Sequence, residues 1–427
     1  MKVCPKNKGN VIIKVEENAM KICYFGTVCR EETFQNICIR SKVKPSAAPQ
    51  VFESMLIKGF DNIQDLNVEV NTFLPIPSIP LGFSLIWGRN KEKLTSKIYS
   101  RWLPALNIQI IKQFCFLIGT SVILMSWLFR NNKERDKVIF LYSIYMPVAL
   151  PAIIIAHLFR CRIVSLVTDL PSFMFAYSRE KGIKSLLVPI FVWLSRLIES
   201  HFDGYVLLTE QMNNVVNKRG KPHIVMEGLV NQDDFLGIHT FDEYDETRVI
   251  MYAGTLNKKF GIVNLIKGFM ALPDKDLSLW FFGGGDVSDE ILEYIKADPR
   301  IHYLGVKLRS EVLEHEIKAT LLVNPRPSDE EFTKYSFPSK NMEYMASGTP
   351  LLTTKLPGMP EEYYEHVYLF DDESVEGMAR TMEWILNLPK EELHAKGAAA
   401  KEFVLREKNN IVQAKRIIDM IKTMKDR

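Results

Sequence analysis

The chain lacks the marks of a metal, redox or nucleic-acid protein. Its six cysteines, at positions 4, 23, 29, 38, 115 and 161, form no CxxC pair, which excludes the common zinc and dithiol motifs. All six precede residue 162, a distribution that fits reduced core thiols and hence a cytoplasmic protein. Eight histidines are scattered along 427 residues without clustering. A formal net charge of +3 is too small for the strongly basic face of a nucleic-acid binder. The P-loop pattern GxxxxGK followed by Ser or Thr is absent. At the N-terminus, MKVCPKNKGNVIIKVEENAMKICYFG has apolar runs too short for the hydrophobic region of a cleavable signal.

What is present is globular in composition: 47% hydrophobic, 25% charged, with 22 Gly and 21 Pro in no biased tract. The length exceeds one ordinary core and calls for two or three domains. Short apolar runs alternate with longer helical stretches, the pattern of parallel sheets with helical crossovers. A first series of strands is expected at 22–26, 138–142, 163–167, 205–208 and 224–227. Residues 231–247, NQDDFLGIHTFDEYDET, are acidic and poor in aliphatics, as a linker is. A second series follows at 248–254, 277–285, 301–305, 320–325, 350–354 and 367–370. The reading is α/β: two Rossmann-like, doubly wound parallel-sheet domains, 20–230 and 248–389, facing a central cleft. Residues 1–19 form an N-terminal appendage, and 390–427 form terminal helices. Ligands of such sheets bind beyond the carboxyl ends of the strands.

Two stretches stand apart. Gln113 to Phe129 carries no charge over 17 residues, at the lower limit for a membrane span. Gly119-Thr120-Ser121 interrupts it, which favours a helix buried between layers. Between Arg89 and Leu103, five basic residues oppose the single Glu92, with Trp87, Leu94, Ile98 and Trp102 interleaved. That pattern fits a surface helix, either lying peripherally on anionic lipid at the inner membrane face or presenting a solvated basic face.

Three corners carry candidate chemistry. In MYAGTLNKKFGI (251–262) a strand ends at Gly254, lysines 258 and 259 follow, and a helix starts near Gly261. Backbone N–H groups and an ammonium converge there on an anion, unless the lysines are merely solvated. Gly283-Gly284-Gly285-Asp286 again ends a strand, where glycines permit either close ligand approach or a tight turn. Asp274-Lys275-Asp276 precedes a strand and reads as a loop rather than a metal motif. The richest corner is YSFPSKNMEYMASGTP (335–350). Phe337-Pro338 enters a helix with Ser339 as expected N-cap and Lys340 in its first turn. A cation there opposes the helix dipole unless an anion joins it. Glu343, one turn further, can accept two hydrogen bonds from a vicinal diol such as a ribose.

FPSKxxEYMASGTP, preceded by AGTLNKKFGI and FFGGGD, resembles the C-terminal domain of GT-B glycosyltransferases of family 4, in particular bacterial members that build cell-surface polysaccharides. The resemblance is specific over about 248–370 and thinner before that. It implies two Rossmann-like domains, a nucleoside-diphosphate sugar of UDP or GDP type held by the second, and a glycan or lipid-linked acceptor held by the first. It also implies retention of configuration, no metal or other cofactor, and a C-terminal helix that crosses back. By position, Glu343 matches the ribose-binding second glutamate of the E-x7-E motif, and Lys259 and Lys340 face the diphosphate. Gly254 and Gly284 line the nucleotide pocket, alongside Thr255, Lys258, Phe337 and Ser339. Thr168 and Asp169 fall where relatives carry a His-Asp pair near the reacting sugar, and the loop after Gly26 approaches donor or acceptor. Tyr335 replaces the first motif glutamate, with Glu330 and Glu331 as nearby substitutes. Thr255 replaces a common arginine, and Phe260 stands where a lysine is usual. Two rivals remain: a nucleotide-sugar 2-epimerase, and a non-catalytic relative that binds a nucleotide sugar.

Overall fold

In the computed structural model, residues 19–172, 183–235 and 248–425 are described. The N-terminal appendage and most of the acidic linker lie outside them. The first half builds one sheet from β1 (Met20–Gly26), β2 (Leu66–Thr72), β4 (Lys91–Lys93), β5 (Tyr99–Trp102), β7 (Lys137–Tyr142), β8 (Arg162–Val167), β9 (Gly204–Leu207) and β10 (His223–Val225). Their order is β10-β9-β8-β7-β1-β2-β5-β4, parallel except at β4–β5. β3 (Ile86–Trp87) and β6 (Ala105–Leu106) pair separately. The second half builds β11 (Arg248–Ala253), β12 (Leu277–Phe282), β13 (Ile301–Gly305), β14 (Leu321–Asn324), β15 (Leu351–Thr354) and β16 (Tyr368–Phe370) in the parallel order β13-β12-β11-β14-β15-β16. Strand order reverses between β1 and β7 in one sheet and between β11 and β14 in the other, which opens a crevice above each.

The central strands are continuous apolar runs because both sheet faces are covered. In the first half, α1 (Glu31–Arg40), α3 (Gln109–Arg130), α4 (Met146–Leu158), α5 (Ile183–Glu199) and α6 (Glu210–Val216) lie on one face. α2 (Ala47–Asp61) and α13 (Asn410–Thr423) cover the other. In the second half α7 (Ile262–Met270), α8 (Ser288–Ala297) and α11 (Val375–Leu386) pack opposite α9 (Arg309–Lys318), α10 (Ser339–Ser347) and α12 (Lys390–Glu407). The chain therefore ends on the first sheet. Asn409 caps α13 by accepting from the N–H groups of Ile411 and Val412 at 3.0 and 2.9 Å. Gly59 on α2 lets it approach, since a Cβ there would lie 2.2 Å from the Asn410 carbonyl.

Two expectations are overturned. Residues 89–103 are not a surface helix but strands β4 and β5. Glu92 is turned inward and accepts from Thr33 Oγ1 at 2.9 Å and Trp102 Nε1 at 3.1 Å. Arg101 pairs with Glu69 at 3.0 Å, so the basic run is partly neutralised by its neighbours. Lys-Glu-Lys alternation at period two is what a strand presents. Second, Gln113–Phe129 is helical within α3 but is not buried between layers. Only one stripe, including Phe116, Leu124 and Trp127, reaches the core.

Candidate functional site

The loops after β11 and β12 lock together. Gly254 N–H donates to Phe282 O at 3.0 Å and Leu256 N–H to Gly284 O at 3.1 Å. Their glycines serve that contact first: a Cβ on Gly283 (φ +119°) would lie 1.9 Å from Gly254 O, and one on Gly285 would lie 2.1 Å from Leu256 O. Gly284 is different, meeting only Val306 at 3.3 Å, and so presents open backbone. Lys258 and Lys259 project from a one-turn helix with exposed side chains, and Thr255 is also exposed. Gly261, at φ +78°, closes the corner against Pro325 O.

Beside them stands the start of α10. Ser339 is the first helical residue rather than the N-cap; Pro338 takes that position and supplies no side-chain cap. The first N–H groups of the helix are thus free of side-chain partners, as an anion site requires. Lys340 lies in the first turn, but its ammonium is engaged: Glu343 Oε2 is at 2.9 Å and Glu316 Oε1 at 3.5 Å. Glu343 also meets Arg309 Nε at 3.3 Å, and Arg309 reaches Asp234 at 2.7 Å. Burial pushes the fully buried Glu316 carboxyl up to about 8, with the neighbouring Glu343 charge adding to it. Burial also acts on Glu343, but Lys340 and Arg309 outweigh it and hold that carboxyl below its usual range. The result is a compact charge cluster of two cations and three carboxyl groups at a helix start. Phe337 is buried against Tyr363, with ring centres 5.1 Å apart, and belongs to the core.

Across the molecule, Gly26 ends β1. The space its missing side chain leaves is taken by Glu53 of α2, whose Oε2 would lie 1.8 Å from a Cβ there. Glu53 is fully buried; Tyr24 Oη donates to it at 2.8 Å, and Thr27 donates through both N–H and hydroxyl. Desolvation pushes its pKa up to about 7 against those hydrogen bonds. Thr168 and Asp169 follow β8, with Thr168 Oγ1 donating to Asp169 Oδ2 at 3.2 Å. Desolvation by the surrounding protein raises the Asp169 pKa, although the residue stands at the surface.

Tyr335 packs against the hydrophobic core of the first half. Nearby, Thr209 Oγ1 donates to Lys334 O at 2.8 Å, and Gly358 fits closely against Thr209. Glu330 and Glu331 stand at the start of the one-turn helix Glu331–Lys334 that leads into this contact.

Five residues that folding brings to these candidate clusters were not legible in the sequence: Glu53, Asp234, Arg309, Glu316 and Arg326. Arg326 follows β14, stacks over Phe260 at 4.5 Å, and has no acceptor for its Nε among the described residues. Its only local signal was a cation just after a strand, whereas Arg309 is the first residue of α9. Among the described residues no group of three or more His, Cys, Asp or Glu is arranged to hold a metal ion.

Two crevices above facing Rossmann-like sheets, joined by a returning helix, define the GT-B class, and the solved structures agree. A sucrose-phosphate synthase from Thermosynechococcus elongatus matches at 13% identity over 94% of this chain and 99% of its own, with a TM-score of 0.62. The lipopolysaccharide outer core galactosyltransferase WaaB matches at 14% over 95% and 99%, TM-score 0.61. HepE from Anabaena, solved with UDP and glucose, matches at 13% over 95% and 100%, TM-score 0.58. More particularly, residues 247–387 match the family model described as Glycosyl transferases group 1. Residues 247–387 are thus similar to a group 1 glycosyltransferase domain, set in a GT-B fold. No protein of curated function matches the chain by sequence.

Proposed function

We propose that this protein is a family 4 glycosyltransferase. It moves a sugar from a UDP or GDP sugar to a glycan or lipid-linked acceptor in cell-surface polysaccharide synthesis, with retention and without a metal. The observation that carries the reading is the uncapped start of α10, ringed by Lys340, Arg309 and Glu343 and set beside the Lys258–Lys259 corner. As the donor bond breaks, negative charge grows on the leaving diphosphate, and preorganised amides and cations aimed at it lower the barrier. Lys340 exchanges its carboxylate partners for phosphate oxygens when donor enters, and Glu343, released, takes the ribose hydroxyls. Thr168 and Asp169 face the reacting sugar from the other half. The likeness to HepE, solved with UDP, supports a uridine donor without selecting it over GDP.

The test is incubation of the purified protein with a panel of nucleoside-diphosphate sugars, followed by mass spectrometry. One donor consumed with release of its diphosphate, faster with acceptor, is the expected result. Donor returned as its 2-epimer would replace this reading with the epimerase, and no turnover of any bound donor would favour a binding protein. Glu343→Gln should then raise the donor KM roughly tenfold or more, the scale of a lost charge-assisted hydrogen bond. An unchanged KM would place the ribose elsewhere.

A further inference from the structure

The first half carries an exposed apolar surface apart from the candidate site. The inner stripe of α3 is core, but its outer stripe, Phe114, Ile118, Val122 and Phe129, lies 50–66% exposed at helical spacing. The stripe does not stop at the helix end. The Phe129 ring meets Phe159, just past α4, with centres 6.5 Å apart. α4 packs between α3 and α5, and α5 exposes Trp193 at 65%. Most of the large hydrophobic side chains exposed among the described residues precede residue 200, so the asymmetry between the halves is strong.

Among the described residues, the charges around this face are mainly positive. α3 and α4 contain no Asp or Glu, and the single acid of α5, Glu199, is buried and accepts from Ser172 N–H at 2.7 Å. Exposed cations border the face: Lys133 and Arg135 beyond α3, with only Glu134 between them, Arg160 beyond α4, and Arg196 beside Trp193. We infer that the outer face of α3, α4 and α5 is a docking surface for a bilayer rich in anionic phospholipid. Apolar side chains enter the headgroup boundary while the bordering cations meet phosphates. A second copy of the same face fits less well, because it would set these cations against their like. α3 lies on the bilayer and does not cross it, since Phe116, Leu124 and Trp127 hold it to the sheet.

The orientation has a consequence for the acceptor. Tyr145, just after β7, donates to Gln113 near the start of α3, and Lys112 donates to the Ile76 carbonyl beyond β2. The stripe therefore begins at the carboxyl ends of the strands, the end that carries Thr168 and Asp169. This deepens the acceptor half of the reading above and rests on it only for what the membrane delivers.

The full chain would be sedimented with vesicles of phosphatidylglycerol and phosphatidylethanolamine, and separately of phosphatidylcholine, without any sugar. Wild type should pellet with the anionic vesicles, release in high salt, and bind phosphatidylcholine weakly. The Phe114→Glu/Ile118→Glu double variant should lose about tenfold or more of that binding. Trp193→Glu, on a different helix, should do the same, and both should keep donor turnover with a soluble acceptor. Wild type indifferent to anionic vesicles, or variants that bind as wild type, would overturn the inference. So would variants that turn a dimer into a monomer in sedimentation velocity, which assigns the face to a second copy. Because vesicle binding needs no donor, a failed donor screen leaves this result standing, and the reverse holds.

Discussion

At the residue scale, Glu53 shows what a strand-end glycine makes room for. Gly26 ends β1, and its missing side chain admits a buried carboxyl beneath the loop that follows. That carboxyl has a pH consequence. Its pKa is pushed up to about 7 in the folded chain and stands near the ordinary carboxylate value of 4.5 when unfolded. Below pH 4.5 both states hold the proton. Between 4.5 and 7 the folded state binds more protons than the unfolded one, so stability falls as pH rises, and it levels off above 7. Denaturant unfolding at pH 5 and pH 8 should show wild type losing on the order of 3 kcal/mol more than Glu53→Gln between the two. Equal losses would mean that Glu53 is ionised in the fold.

At the element scale, legibility followed how local the signal was. Runs such as KVIFLY and RIVSLV announce buried parallel strands because nothing polar interrupts them. β2, LNVEVNT, was missed because its polar alternate residues look like loop. β4 and β5 were missed because charge spacing over a short window fits a helix as well as a strand until Glu92 finds its buried partners. The site followed the same rule. α10 and its glutamate were readable from sequence, whereas Arg309, Asp234 and Glu316 join it only through folding, from elements far apart along the chain. The glycines can be sorted by the same logic. Gly261→Ala forces a left-handed residue and sets a Cβ 2.0 Å from Pro325 O, so it should destabilise by about 1–3 kcal/mol. Gly284→Ala meets only one methyl at 3.3 Å and should unfold within about 0.5 kcal/mol of wild type while raising the donor KM. Urea unfolding and donor kinetics on the two variants check both halves. A Gly284→Ala variant with unchanged KM would remove that glycine from the donor site.

At the scale of the whole molecule, two junctions among the described residues tie the halves closely. One is the packing of Tyr335 on the opposite core, with Thr209 bonded to Lys334. Tyr335 is thus a contact between the two halves. The other is the crossing point, where Val230 N–H donates to Lys408 O at 3.1 Å and Asn410 N–H to Val230 O at 2.8 Å. There Lys408, almost fully buried, lies 3.3 Å from both oxygens of the buried Glu227 and also reaches Glu362. Tyr363 adds a hydroxyl to Glu227 at 3.4 Å and a ring face to the ammonium at 5.2 Å. Three separate segments therefore depend on one cation. Lys408→Met leaves Glu227 buried without its counter-charge, a loss of about 3–5 kcal/mol, because desolvation is no longer offset. Pairing it with Glu227→Gln removes the stranded charge and should restore most of that stability. Thermal unfolding of the two variants decides the point. A single variant as stable as wild type would show the junction to be held by α13 packing alone, and a double variant no better than the single would show that Lys408 acts through Glu362.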